Sequence, residues 1–466
     1  MLDTLLNDFT IQVKEKIAEL TNDLKESYDF QKVEEMIAEI VDDVTTSILQ
    51  ICLKEVLEDP NFLVLLKQSG LNQGMRFHGF REISVYVYTG QRVKVRSPYF
   101  VRVQKKRGRK KAGPNGRGVH LGLEVLGFLG RGSVKFVSWV VKLAVLVPSY
   151  GIAKEVLLDM GIKLSVNTIR RFCRELGRIG IAHRGEMSFD GQEDLSGATL
   201  VIEVDGGRLR LRKTKRGKKK RTQKRQGYHT PWKEPKLFTM YLVNAQGRLL
   251  KEFAPVHDAT TGDDDEVFAL MAHYLEQLEL SVLARVVVCG DGARWIWLRV
   301  DALLKNRGVN PENIYQVVDY THAKQNLREI VELMPPKKQK RIMKKWKKLL
   351  FKGDIEGLGT AIRSGLRGKK LEVGLKKWAD YFMRNAQRMQ YQYFKEHHIP
   401  CGSGHVESAI RRVINLRLKA PGTFWKRDMA EYFLFLRSQL LSGRWNIFMK
   451  NVRRRLVSVI EALKSL

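Results

Sequence analysis

The sequence is short of several things, and each shortage narrows its class. Only four cysteines occur in 466 residues, Cys52, Cys173, Cys289 and Cys401, and no two form a CxxC pair. That spacing excludes a disulfide framework and a zinc ribbon, and the thiols read as buried and reduced. Long apolar runs are also missing. The longest, Phe136 to Val147, is broken by Lys142 and stops well short of the ~20 residues of a membrane span. The first residues, MLDTLLNDFT, are acidic where a secretory signal would be basic and then apolar. A cytoplasmic protein without a membrane partner is expected. Acid is scarce beside base: 50 Asp and Glu against 83 Lys and Arg leave a formal charge of +33.

That charge is unevenly spread. Residues 1 to 60 hold 15 acids and 5 lysines, a net of −10, so the remainder carries +43. Lysine and arginine that neutralise phosphates release condensed counterions, which makes a polyanion the natural partner.

The acidic block, 1–70, repeats Leu5, Phe9, Val13, Ile17, Leu20 and Leu24 at helical spacing, and Met36, Ile40, Val44, Ile48 and Cys52 extend the pattern in a second helix that ends near Pro60. These helices are either an oligomerisation element or a cap on the next domain. The second block, 78–185, opens with alternating segments at Ile83 to Tyr88 and Val93 to Val95, a hairpin around Thr89-Gly90-Gln91. Then KKRGRKKAGPNGRG, with Lys105, Lys106, Arg107, Arg109, Lys110 and Lys111, is too charged and too rich in glycine to form a core. It is a linker or an arm that follows a phosphate backbone. From Ser149 to Gly177 the pattern is helix, turn, helix: Ile152, Val156 and Leu157 on one face, Gly161 at the turn, Ser165 as cap, then Arg170, Arg171 and Arg174 on a second helix suited to a major groove.

The third block, 198–323, carries the chemistry. LVIEV, Leu200 to Val204, runs into Asp205-Gly206-Gly207, and VVVCG, Val286 to Gly290, runs into Asp291-Gly292. One strand closing on Asp-Gly is an ordinary turn signal. Two such strands suggest parallel neighbours presenting acids at one edge of a sheet, where open α/β sheets build their sites. Strands at Lys236 to Asn244 and Leu249 to Val256, a helix from Asp264 to Leu280, and a strand Ile314 to Val318 ending on Asp319-Tyr320-Thr321-His322 complete the order of an RNase H-like sheet. That chemistry needs a third carboxylate so that three acids hold two Mg²⁺ ions. Glu407, in GSGHVES at the start of a helix, is the candidate, with Glu372, Glu396 and Glu431 as the nearby alternatives. Between strand and candidate lies a helical insertion, 324–398, whose segment KQKRIMKKWKKLLF sets Trp346 among cations including Lys344 and Lys345, a pattern that allows an aromatic to stack while cations hold phosphate. The last block, 399–466, adds Arg411, Arg417 and Lys419 to the basic surface.

The run VDGG, GDGARWIW, DYTHAKQNL, GSGHVES, RLK and Phe424-Trp425 resembles the Kra-type family of bacterial insertion-sequence transposases, relatives of the Mutator-like DDE enzymes. The resemblance covers roughly 78 to 450. It implies an α/β RNase H-like catalytic core with an all-helical insertion, preceded by helical and helix-turn-helix DNA-binding regions, and a catalytic, metal-binding triad of Asp205, Asp291 and Glu407. It further implies two Mg²⁺ ions replaceable by Mn²⁺, Asp319 and His322 as accessory residues, double-stranded DNA as partner, assembly as a homo-oligomer on that DNA, and a nucleoid-associated location. The expected activity is binding of terminal repeats, strand cleavage and strand transfer. The alternatives are an RNase H-like nuclease that does not join and a domesticated DNA-binding regulator. Two stretches carry no family motif: the acidic helices and the basic segment Arg208 to His229.

Overall fold

The computed structural model describes residues 2–102, 118–184, 195–217 and 226–464. The arm residues Lys105, Lys106, Arg107, Arg109, Lys110 and Lys111 lie outside them. The chain divides into two compact units, one of Met1–Ala144, Tyr150–Leu176 and Asn451–Leu466, the other of Val145–Ser149 and Gly177–Lys450.

The first unit opens with three helices, α1 (Leu2–Ser27), α2 (Phe30–Glu58) and α3 (Pro60–Asn72). Pro60 begins a helix where an end was expected, because Asp59 caps it through the amides of Asn61 and Phe62 and proline is at ease in a first turn. The hairpin β1 (Met75–Tyr86) and β2 (Arg92–Arg102) is longer than its alternating core and carries a bulge between Phe77 and Phe80. After α4 (Leu121–Val125) come the short strands β3 (Phe128–Leu129) and β4 (Gly132–Ser133), which complete a sheet of order β2-β1-β4-β3. Leu57, Val85, Val93, Val95 and Leu123 form its core. Helix α5 (Val134–Leu146) leads to α6 (Tyr150–Asp159) and α7 (Val166–Ala182). Gly161 turns with φ +76° and Ser165 caps α7 by accepting from the Thr168 amide. The buried face of α6 is Ala153 and Leu157, while Ile152 is exposed.

The second unit is built on a sheet. Strand β5 (Thr199–Gly206) is followed by the short β6 (Leu209–Arg210), β7 (Lys213–Thr214), β8 (Tyr228–His229) and β9 (Trp232–Lys233), then by β10 (Lys236–Val243) and β11 (Val256–Thr260). The expected strand at Leu249 to Val256 starts only at Val256, directly after Pro255, which has no amide to give a ladder. Helix α8 (Asp264–Leu275) ends before the expected Leu280 and precedes β12 (Arg285–Gly290), α9 (Arg294–Lys305), β13 (Ile314–Val318) and α10 (Tyr320–Val331). The five-stranded order is β11-β10-β5-β12-β13, with β10 antiparallel to both neighbours and β5, β12 and β13 parallel. The fold is mixed α/β.

The helices α11 (Pro336–Lys352), α12 (Ile355–Gly365), α13 (Gly368–Lys377) and α14 (Tyr391–Glu396) stand between β13 and α15 (Gly404–Ala409). Their apolar residues Trp346, Leu350, Leu358 and Ile362 join the core that covers the sheet. A π turn, Ile410–Asn415, continues α15, and α16 (Arg427–Leu441) and α17 (Trp445–Lys464) close the chain. Among the described residues, no helix is long and apolar enough to cross a membrane.

Candidate active site

The register of the parallel strands fixes the site. Val204 of β5 lies beside Gly290 of β12, and Gly290 beside Val318 of β13. The next residue on each strand is an acid, so Asp205, Asp291 and Asp319 fall in one row. Asp319 extends the ladder by donating its amide to the Gly290 carbonyl at 2.8 Å.

Each acid is held differently. Asp205 Oδ1 accepts from the Gly206 amide at 2.7 Å. Asp291 Oδ1 accepts from the Ala293 amide at 2.9 Å, and its carbonyl from the Tyr381 hydroxyl at 3.0 Å. Gly292 has φ +95°, and a Cβ there would stand 2.9 Å from the Tyr381 ring. The glycine after Asp291 is therefore needed twice, for its backbone and for the close approach of the helical insertion. Asp319 caps α10 by accepting from the amides of Thr321 and His322, both at 3.0 Å, and also accepts from His322 Nδ1 at 2.8 Å and the Ser403 amide at 3.3 Å. Ser403 turns its hydroxyl to Glu407 Oε1 at 3.0 Å, so one serine links two acids.

Charge shows the same grouping. Burial, joined by the charges of Asp291 and Glu407, pushes the Asp205 carboxyl up to about 6, against the pull of the Gly206 amide and His322. Burial works against ionisation of Asp319 as well, yet the donors around it, His322 foremost, hold it below the usual carboxylate range. Its hydrogen bond to Asp319, aided by Asp205 and Asp291, raises His322 to about 8. Glu431 is engaged elsewhere, with Arg184 and Thr261, which leaves Glu407 as the glutamate acting on Asp205.

Among the described residues, one donor set is close enough to hold a cation as it stands. Ligand atoms of Asp319, His322 and Glu407 lie within 4.8 Å of one another. Asp319, however, already takes four donors, and His322 Nδ1 is spent on one of them. Among the described residues, Asp205, Asp291 and Glu407 each have one bond to a carboxyl oxygen, which leaves more lone pairs free.

Glu203 has a role that sequence reasoning missed. It is fully buried, accepts from Tyr241 Oη at 2.6 Å and from the Val406 amide at 2.7 Å, and so ties β5 to the start of the helix bearing Glu407. His405 stacks on Tyr241 with centroids 4.0 Å apart. An acid inside an otherwise apolar strand was the available signal.

The basic residues divide by exposure. Arg170 and Arg174 are exposed on α7, whereas Arg171 is half-buried against the Phe172 ring. Lys344 and Lys345 are exposed on α11, and Arg411 and Lys419 are exposed after Glu407. Arg417 departs from expectation: it is 2% exposed, its guanidinium 5.0 Å from both the Trp425 and Phe433 rings. Trp346 departs as well. It is 3% exposed in the core of the insertion and offers no face for stacking.

The chain belongs to the uncharacterised protein family UPF0236, whose family profile matches residues 23–437. No curated protein matches it.

Proposed function

We propose that this chain is a DDE transposase with an RNase H-like core, which cleaves the ends of an insertion sequence and joins them to target DNA. The observation that carries this reading is the row of Asp205 and Asp291 on adjacent parallel strands with Glu407 brought within reach of their charge. A central strand flanked by one antiparallel and one parallel neighbour, in the order β11-β10-β5-β12-β13, supports the RNase H-like assignment.

Three carboxylates this close repel one another unless a cation neutralises them. Their all-oxygen donor set fits Mg²⁺, with Mn²⁺ able to replace it. When bound, such ions stabilise the attacking and leaving oxygens of an in-line phosphoryl displacement. The protein's own groups do the placing. Asp205 and Asp291 are fixed by the sheet, Glu407 by Ser403 and by the Glu203 anchor. His322, protonated near neutral pH, presents a cation beside the acids, suited to a scissile phosphate. The exposed cations of α7 and α11 suit the backbone of double-stranded DNA. Asp319 serves as a clamp for His322 and Ser403.

A second reading, a single softer ion on Asp319, His322 and Glu407, is favoured by their mutual proximity. The test uses the purified chain with DNA carrying the inverted repeats that flank its gene, in Mg²⁺ or Mn²⁺, with new 3′ ends mapped and transfer to a plasmid scored. Cleavage and joining lost in Asp205→Asn, Asp291→Asn and Glu407→Gln supports the triad. Cutting without joining would return the nuclease, an absence of flanking repeats the regulator, and parent-rate cutting by Glu407→Gln would end this assignment.

A further inference from the structure

The basic segment after Asp205 is a ribbon. β6 pairs with β9 and β7 with β8, so the chain leaves the sheet after Gly206, and its described residues 209–214 and 228–233 run as a two-stranded extension before β10. Its root is fixed to the body: the Arg212 amide donates to the Trp425 carbonyl at 2.7 Å, and the Trp425 amide to the Arg210 carbonyl at 3.0 Å.

Aromatic rings and guanidinium groups alternate along it. The Arg210 guanidinium lies 5.2 Å from the Trp232 centroid and 5.1 Å from that of Phe424, and Arg212 lies 4.2 Å from Tyr228, which meets Phe424 at 5.9 Å. Trp232 is 58% exposed and Tyr228 39%, and Trp232 is the sole exposed tryptophan of eight. Between Arg208 and Lys233 there is no acid, while Arg208, Arg212, Lys213, Lys215 and Arg216 are exposed.

We propose that this ribbon is a binding site for single-stranded DNA, taking unpaired nucleotides next to the phosphate that the carboxylates face. Charge alone would serve a duplex equally well. The open rings distinguish the two, because the face of a paired base is covered by its neighbours in the stack and only an unpaired base can lie on Trp232 or Tyr228. Arginine behind each ring places a cation near the phosphate that follows the stacked base. Every base has a π face, so the site is tolerant of sequence.

The location beside the carboxylates and the choice of DNA over RNA rest on the transposase reading, but stacking of unpaired bases on the ribbon does not. The test therefore uses the full chain without divalent ions. Anisotropy is measured for labelled oligo-dT, a blunt duplex of equal length and oligo-U RNA, and quenching is followed for 2-aminopurine placed in a duplex overhang. The parent chain should quench the overhang and bind oligo-dT more tightly than RNA. Trp232→Ala and Tyr228→Ala should each weaken oligo-dT roughly 5- to 150-fold while leaving the duplex unchanged, and Trp232→Phe should restore most of the loss. Equal losses on strand and duplex would make the rings mere supports of the ribbon and overturn the proposal, as would no loss at all or tighter binding of RNA. A chain that shows the strand-specific loss yet never cuts DNA would keep the ribbon site and end the transposase reading.

Discussion

Glu203 offers a sharp test of how the site is assembled. Its carboxyl accepts from the Tyr241 hydroxyl and the Val406 amide, both at bond lengths of charge-assisted strength. Burial and the Glu203 charge keep Tyr241 protonated, hence a donor. In Glu203→Gln the amide oxygen can face Val406 and its NH₂ can donate to the Tyr241 oxygen, so both contacts survive as neutral bonds at a cost of about 1 kcal/mol. Glu203→Ala leaves both donors without an acceptor. Two bonds to a charged group at about 1.5–3 kcal/mol each set the scale at roughly 3–6 kcal/mol. The first turn of α15 recovers part of that by opening to water, and with it goes the placement of Glu407, where a displacement of ~1 Å can cost about 100-fold in rate. Expected, then, are a small fall in melting temperature and modest slowing for the glutamine variant. For the alanine variant we expect a larger fall, faster hydrogen exchange at Val406 and DNA cleavage down by about two orders of magnitude with DNA binding intact. If the alanine variant cuts at the parent rate with Val406 still protected from exchange, Glu203 does not position the helix.

Three further outcomes follow from the same geometry. The Asp205 carboxyl at about 6, against 3.8 ordinarily, means the folded chain holds a proton that the unfolded chain releases. Metal-free stability should thus fall as pH rises from 4 to 7, by up to about 3 kcal/mol, and Asp205→Asn should raise the metal-free melting temperature at pH 7 and abolish the gain given by Mg²⁺. His322, raised from 6.5 to about 8, contributes stability that is complete below 6.5 and lost as pH climbs through 8, about 2 kcal/mol; His322→Ala should remove that loss and slow cleavage while divalent-ion affinity by calorimetry stays close to the parent's. His257, buried beneath Arg412 and lowered to about 4 by burial first, works oppositely: stability should decline as pH drops from 6.5 to 4, and a denaturation series on His257→Gln that keeps this decline would refute the assignment.

Much of this was readable because apolar strands announce themselves and an acid at their ends is conspicuous. Asp205, Asp291 and the strand before Asp319 needed only local pattern. Trp346 was misread because a ring set among lysines looks like a binding face, whereas Trp346 and Leu350, one turn apart, are the narrow apolar stripe by which a basic helix reaches the core. Arg417 follows the π turn Ile410–Asn415, which adds a residue to the turn and rotates what comes after it; no linear spacing reveals that rotation. Glu203 was visible as an oddity in β5, but its partner Val406 lies across the helical insertion, and pairings at that separation are decided by tertiary packing.

The place of β5 in the sheet has a bearing on what incomplete chains do. During synthesis β10 follows β5 and pairs on one of its edges, with β11 beyond it, while the other edge waits for β12, which comes only after α8. Until then a mostly apolar strand shows a row of unpaired amides and carbonyls, the arrangement most prone to intermolecular pairing. A chain interrupted between β11 and β12, by a stop codon or a protease, would aggregate through that edge. Such fragments leave solution, so truncation in this stretch removes the damaged chain without leaving a partly folded competitor beside intact ones.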